Sequence, residues 1–110
     1  MFYTFDQNNS GGGYDNDRTR GIGPIVVIEA ASNNEANRQA EEIGLYFDGV
    51  DRGDDCECCG DRWYRVSEWN AGEVPTRYGS ALLADRSEVP AETASIFVHY
   101  ADGRVIGYGW

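Results

Sequence analysis

The chain has 110 residues, 19 acidic and 9 basic, for a net charge of −10, so it makes one domain with one modest core and leaves no room for a second. That charge repels a phosphate backbone, which argues against nucleic acid as a partner and leaves solubility, a basic partner protein or mimicry of nucleic acid as its uses. All nine basic residues are arginine, planar donors suited to a carboxylate or phosphate, although a GC-rich coding genome gives the same bias.

In chain order, residues 2–6 are aromatic and β-branched and predict a first strand. The opening Met1-Phe2-Tyr3-Thr4-Phe5-Asp6 has neither the positive leader nor the apolar run of a secretory signal. No stretch approaches membrane-spanning length, so a cytoplasmic protein is expected. Residues 7–23 form a connection far longer than a hairpin needs, either a flap or a binding loop. Residues 24–30, with Ile25-Val26-Val27-Ile28, predict an inner strand covered on both faces. Ser32-Asn33-Asn34-Glu35 is a capping box that starts a helix, whose buried stripe is Ala36, Ala40, Ile43 and Phe47, with Gly44 or Gly49 near its end.

Beyond the cysteines, residues 63–67 predict a third strand. Residues 68–95 read as irregular connection with a short turn of helix over 81–85. Two apolar runs, 96–100 and 105–108, flank Ala101-Asp102-Gly103-Arg104, and Asp-Gly in that setting signals a closing hairpin. The sum is an α+β domain: a small antiparallel sheet of four or five strands with one main helix packed on one face.

Cys56, Cys58 and Cys59 fall within four residues, and His99 is the one histidine, so these are all the soft metal ligands available. Cys56-Glu57-Cys58-Cys59-Gly60 contains C-x-x-C followed by glycine, the half-site spacing of a zinc knuckle. A closed structural site needs two more ligands, from Cys58, His99 if the last hairpin folds back, or the carboxylates of Asp54, Asp55 and Asp61. Three packed free thiols, a local disulfide or a metal shared between subunits are the alternatives. A catalytic thiol is opposed by Asp51, Asp54, Asp55, Glu57 and Asp61, only partly offset by Arg52 and Arg62. Neither a nucleophile elbow nor a phosphate-loop fingerprint is present, and a non-enzyme that requires no cofactor is expected.

Asn8, Asn9, Ser10 and Gly11, with the two glycines that follow, can present backbone amides to an anion, and Arg18 and Arg20 follow within reach. Tyr3, Tyr14 and Trp63 supply stacking faces for a nucleobase, although aromatic residues in strands are ordinarily core and Gly/Asn runs are ordinary turns.

The stretches Met1-Phe2-Tyr3-Thr4-Phe5-Asp6-Gln7-Asn8-Asn9-Ser10-Gly11-Gly12, Ile43-Gly44-Leu45-Tyr46-Phe47-Asp48-Gly49-Val50 and Cys58-Cys59-Gly60-Asp61-Arg62-Trp63 resemble those of a family of short tailed-bacteriophage proteins with no assigned activity. The resemblance implies phage origin and action in the cytoplasm of an infected bacterial host. Small acidic phage proteins of this kind are often inhibitors of host defence. The expected function is sequestration of a nucleotide-derived signal, without catalysis. Direct blocking of a host defence protein and a zinc-stabilised adaptor module are the alternatives, and a homo-oligomer could complete a pocket at its interface.

Overall fold

The computed structural model describes residues 1–8, 13–77, 81–82 and 87–109; Asn9, Ser10 and Gly11 lie outside the described residues. Strands β1 (Phe2–Asp6), β2 (Ile25–Glu29), β3 (Ala71–Gly72), β6 (Ile96–His99) and β7 (Val105–Tyr108) form a five-stranded sheet in the order β3-β1-β2-β6-β7. Helix α1 spans Asn33–Ile43. A separate two-stranded ladder joins β4 (Thr76–Arg77) to β5 (Ala81–Leu82). The α+β expectation holds.

One pairing departs from an all-antiparallel sheet. β2 runs parallel to β6, with Ile25 opposite Ile96 and Ile28 opposite His99. A parallel neighbour needs a crossover, and α1 with the long connection after it supplies one. The continuous apolar run of β2 suits this central position, since Ile25, Val26, Val27 and Ile28 are all buried. β1 joins it antiparallel, Tyr3 facing Ile28, and β6 pairs with β7 through the hairpin foreseen at Asp102-Gly103.

Ser32 caps α1 by accepting from the Glu35 amide at 3.2 Å. Gly44 ends the helix at φ +121°, where its N–H reaches the carbonyls of Ala40 and Glu41. The helix is therefore shorter than its apolar stripe. Leu45 and Phe47 enter the core from the loop beyond.

Residues 63–67 are an extended segment and not a sheet strand, contrary to expectation. The two buried residues, Trp63 and Val66, stand three apart, whereas a strand repeats every two. Buried Asn37 replaces the missing strand neighbour: its Oδ1 accepts from Val66 N–H at 2.9 Å and its Nδ2 donates to Val66 C=O at 3.0 Å. The helical turn expected over 81–85 is likewise displaced at its start by β5, and residues 83–85 lie outside the described residues.

The sheet divides the core in two. On one face α1 packs over β1 and β2, where Tyr3, Phe5, Val26, Ile28, Ala36, Ala40, Leu45, Phe47, Trp63 and Val66 form one cluster. On the other, Ile25, Val27, Ile96, Val98 and Tyr108 form a second. No helix among the described residues is long and apolar enough to cross a membrane.

Candidate functional site

α1 covers the β1–β2 half of its face; on the β6–β7 half Phe97 is buried as well, while Val105 is exposed. Between α1 and the closing hairpin lies a cleft of about 640 Å³, with Ile28, Glu35, Gln39, Ile43, Tyr100 and Arg104 among its walls. A second hollow of about 480 Å³ continues it toward Arg18, Arg20, Phe97 and Gly107. Ile43, His99, Gly103 and Val105 border both. The parallel register fixes this floor, because Phe97 and His99 point to the same face as Val26 and Ile28.

His99 stands where the two hollows meet. Its Nε2 lies 2.7 Å from the carbonyl of Gly21, which can only accept, so Nε2 carries the proton. Burial holds the ring's pKa below the ordinary histidine value, against the pull of that hydrogen bond. The neutral ring therefore presents Nδ1 as an acceptor. Gly21, at φ +72°, lets the backbone come this close: a Cβ there would stand 2.8 Å from His99 Cε1 and 2.9 Å from Val105 Cγ1.

Arg18 and Arg20, both singled out in the sequence, sit on a 3-10 turn at the hollow's edge. They are not equivalent. Arg20 pairs with Asp17 at 3.4 Å and packs its guanidinium against Gly44 at the end of α1, supplying the positive charge that the last turn of that helix lacks. Arg18 makes no ion pair among the described residues.

The long connection after β1 is fastened by Gln7, Arg62 and Asp55, of which the sequence pointed only to the last two, and those for the cysteines. Buried Gln7 donates from Nε2 to the carbonyls of Asp15 at 2.9 Å and Gly23 at 3.2 Å, and its Oε1 accepts from Asp15 N–H. Arg62, whose side chain is 11% exposed, donates from Nη1 to Gln7 Oε1 at 2.8 Å and to the Gly13 carbonyl at 2.7 Å. Its Nε lies 3.2 Å from Asp15 Oδ2. Asp55, only 1% exposed, stands 3.8 Å from the same Nε and accepts from Tyr46 Oη at 2.7 Å. Burial first, and the Asp55 carboxylate second, push the Tyr46 phenol up to about 12. A buried Gln–Arg–Asp–Tyr set drawn from positions 7 to 62 leaves no periodic trace, so no pattern in the sequence announces it.

Of the remaining expected ligand residues, Asn8 is a strut: its Nδ2 donates to the carbonyls of Cys59 at 2.7 Å and Asp61 at 3.1 Å. Tyr14 is exposed but does not line the cleft. Tyr3 and Trp63 are 4% and 2% exposed and belong to the core, so the structure gives them packing and not an open stacking face.

The cysteines do converge. Cys56 Sγ lies 2.8 Å from Cys58 Sγ, and Cys58 Sγ lies 4.0 Å from Cys59 Sγ. All three sulfurs fall within 4.8 Å of one another and could hold a metal ion. The Cys58 thiol and then the backbone N–H groups of Cys58 and Cys59 donate to Cys56 and draw its pKa below the ordinary thiol value, while Cys58 is pushed up to about 11. His99 is not in that group, and its Nε2 is engaged by the Gly21 carbonyl, which corrects its assignment as a fourth ligand.

No curated protein and no solved structure matches this chain. One family model, "Domain of unknown function (DUF7296)", matches residues 1–110 from end to end, and the chain belongs to that family.

Proposed function

We propose that the protein is a non-catalytic binder that sequesters a small nucleotide-like anion in the cleft beside α1. The observation that carries this reading is the junction at His99, where an apolar floor meets a charged edge. Val105, nearly half exposed, offers an apolar contact for a base, His99 Nδ1 an acceptor for its amino group, and Arg18, which makes no ion pair among the described residues, a cation for a phosphate. With a net charge of −10 over the whole chain, such a local cation is a selective feature and not a general surface property. On this reading the protein acts in the cytoplasm of an infected bacterium, as a phage inhibitor of host defence.

Thermal shift against cyclic dinucleotides and ADP-ribose derivatives tests it, with a rise in melting temperature expected for at least one. Arg18→Ala should remove that rise while leaving the unliganded melting temperature unchanged. A panel without any stabilising member ends the reading.

A second reading, a blocker that docks on the basic groove of a host defence protein, is favoured by Trp69. It is 87% exposed on the 3-10 turn Glu68–Asn70, beside an acidic residue. Salt separates the two, since charge-driven docking weakens steeply with ionic strength and a buried ligand does so much less.

A further inference from the structure

We propose that Cys56, Cys58 and Cys59 bind a single thiophilic d¹⁰ cation, zinc above all, through three thiolates, leaving the fourth coordination position to a ligand from outside the chain. This goes beyond the cleft and does not depend on it.

Three observations carry the inference. The first is spacing. Tetrahedral zinc with sulfur at about 2.3 Å holds its sulfurs about 3.8 Å apart, and adjacent cysteines ordinarily point to opposite sides. Here Cys58 and Cys59 put their sulfurs 4.0 Å apart, and Cys56 needs only a side-chain rotation to open its 2.8 Å contact with Cys58. Cys58 and Cys59 are exposed and Cys56 is half-buried.

The second is the turn. The Cys56 carbonyl accepts from the N–H groups of Cys59 at 3.2 Å and Gly60 at 3.0 Å, and Gly60 takes φ +86°. This closes a tight C-x-x-C-G turn that holds the three cysteines on one short loop.

The third is preorganisation together with charge. The segment is closed at its base, where Arg62 N–H donates to Asp55 Oδ2 at 2.8 Å, and braced on its flank by Asn8. Three thiolates beside Glu57 repel one another unless a cation joins them, and the guanidinium of Arg62 is committed to Asp55 and Gln7. The nearby carboxylates are engaged as well: Asp61 Oδ1 accepts from Val50 N–H at 2.9 Å, and Asp55 holds Tyr46 and Arg62. Among the described residues the protein thus supplies three donors, the ligand count of a site that takes its fourth from solvent or a partner.

Titration of Zn²⁺ into the freshly reduced full chain, followed by native mass spectrometry and calorimetry, tests the proposal. One zinc per chain is expected, with proton release on binding. Co²⁺ in its place should show thiolate-to-metal charge transfer. Cys56→Ser and Cys59→Ser should each weaken binding by more than the ~10- to 100-fold that loss of an outer-shell partner costs, and His99→Asn should leave it unchanged. An unaltered melting temperature for the metal-free serine variants shows that the fold survives. Zinc retained by the triple serine variant, an absence of zinc uptake by the reduced chain, or a Cys56–Cys58 disulfide that resists reduction would each overturn it.

Discussion

Asp55 grips Arg62 twice: one carboxylate oxygen accepts the arginine's backbone N–H at 2.8 Å, while the other lies 3.8 Å from Nε of the same residue. The acid therefore fixes both where the backbone of Arg62 runs and where its side chain points. From that anchored position the guanidinium reaches Gln7 and Gly13, so one buried pair holds the base of the cysteine turn and the long connection after β1. Removing Asp55 takes the buried carboxylate from a mostly buried guanidinium and strands both the Arg62 backbone N–H and the Tyr46 hydroxyl, and Asp55→Ala should cost about 3 kcal/mol. Urea denaturation reads this as a lower midpoint, and Arg62→Met added to Asp55→Ala should cost less than the sum of the two single changes.

Tyr46 gives the same network a pH signature. Its phenol is raised to about 12 in the folded state against about 10 in an unfolded chain. Below about pH 10 both states keep the proton and the contribution is intact. Between there and about 12 the unfolded chain releases its proton first, so stability falls as pH rises. Phenolate absorbance against pH should show a late-titrating tyrosine that Tyr46→Phe removes. Tyr108, raised to about 12 by burial and by its neighbour Tyr100, titrates in the same window and serves as the internal comparison.

His99 behaves in the opposite sense at acid pH. Burial depresses its folded pKa, so the unfolded chain takes up the proton first as pH falls below the ordinary value near 6.5, and stability is lost from there downward. The denaturation midpoint should fall between pH 7 and pH 5 by less in His99→Asn than in the parent chain. Gly21→Ala strains the backbone at φ +72° and pushes a methyl into the His99 ring; it should cost about 2 kcal/mol and disturb the cleft with it.

Asn37 offers the cleanest test of the extended segment at 63–67. Both its hydrogen bonds go to Val66, and both are buried. Asn37→Ala strands an N–H and a carbonyl, at a cost of about 2–3 kcal/mol. Hydrogen exchange at Val66 should accelerate well ahead of exchange in β2.

What could be read in advance was whatever repeats or caps. The apolar run Ile25–Ile28, the Ser32 cap, the Ala36 and Ala40 stripe and the Asp-Gly turn each follow from local chemistry, and each is found where expected. The parallel partner of β2 was not legible, because strand direction depends on a crossover and not on composition. Tyr3 and Trp63 have the right ring chemistry for stacking, yet the sheet turns both inward, and ring type does not reveal which side of a layer a residue joins. The convergence of Cys58 and Cys59 depends on backbone angles set by Gly60 and Asn8, neither of which carries a metal signal of its own.

The pairing of β2 with β6 also governs how this chain can be made. Ile25 leaves the ribosome roughly seventy residues before Ile96, and until then the most oily strand of the molecule has one bare edge. Nascent chains that stall before the last hairpin therefore carry a template for intermolecular pairing, and synthesis must reach the far end before the middle is safe.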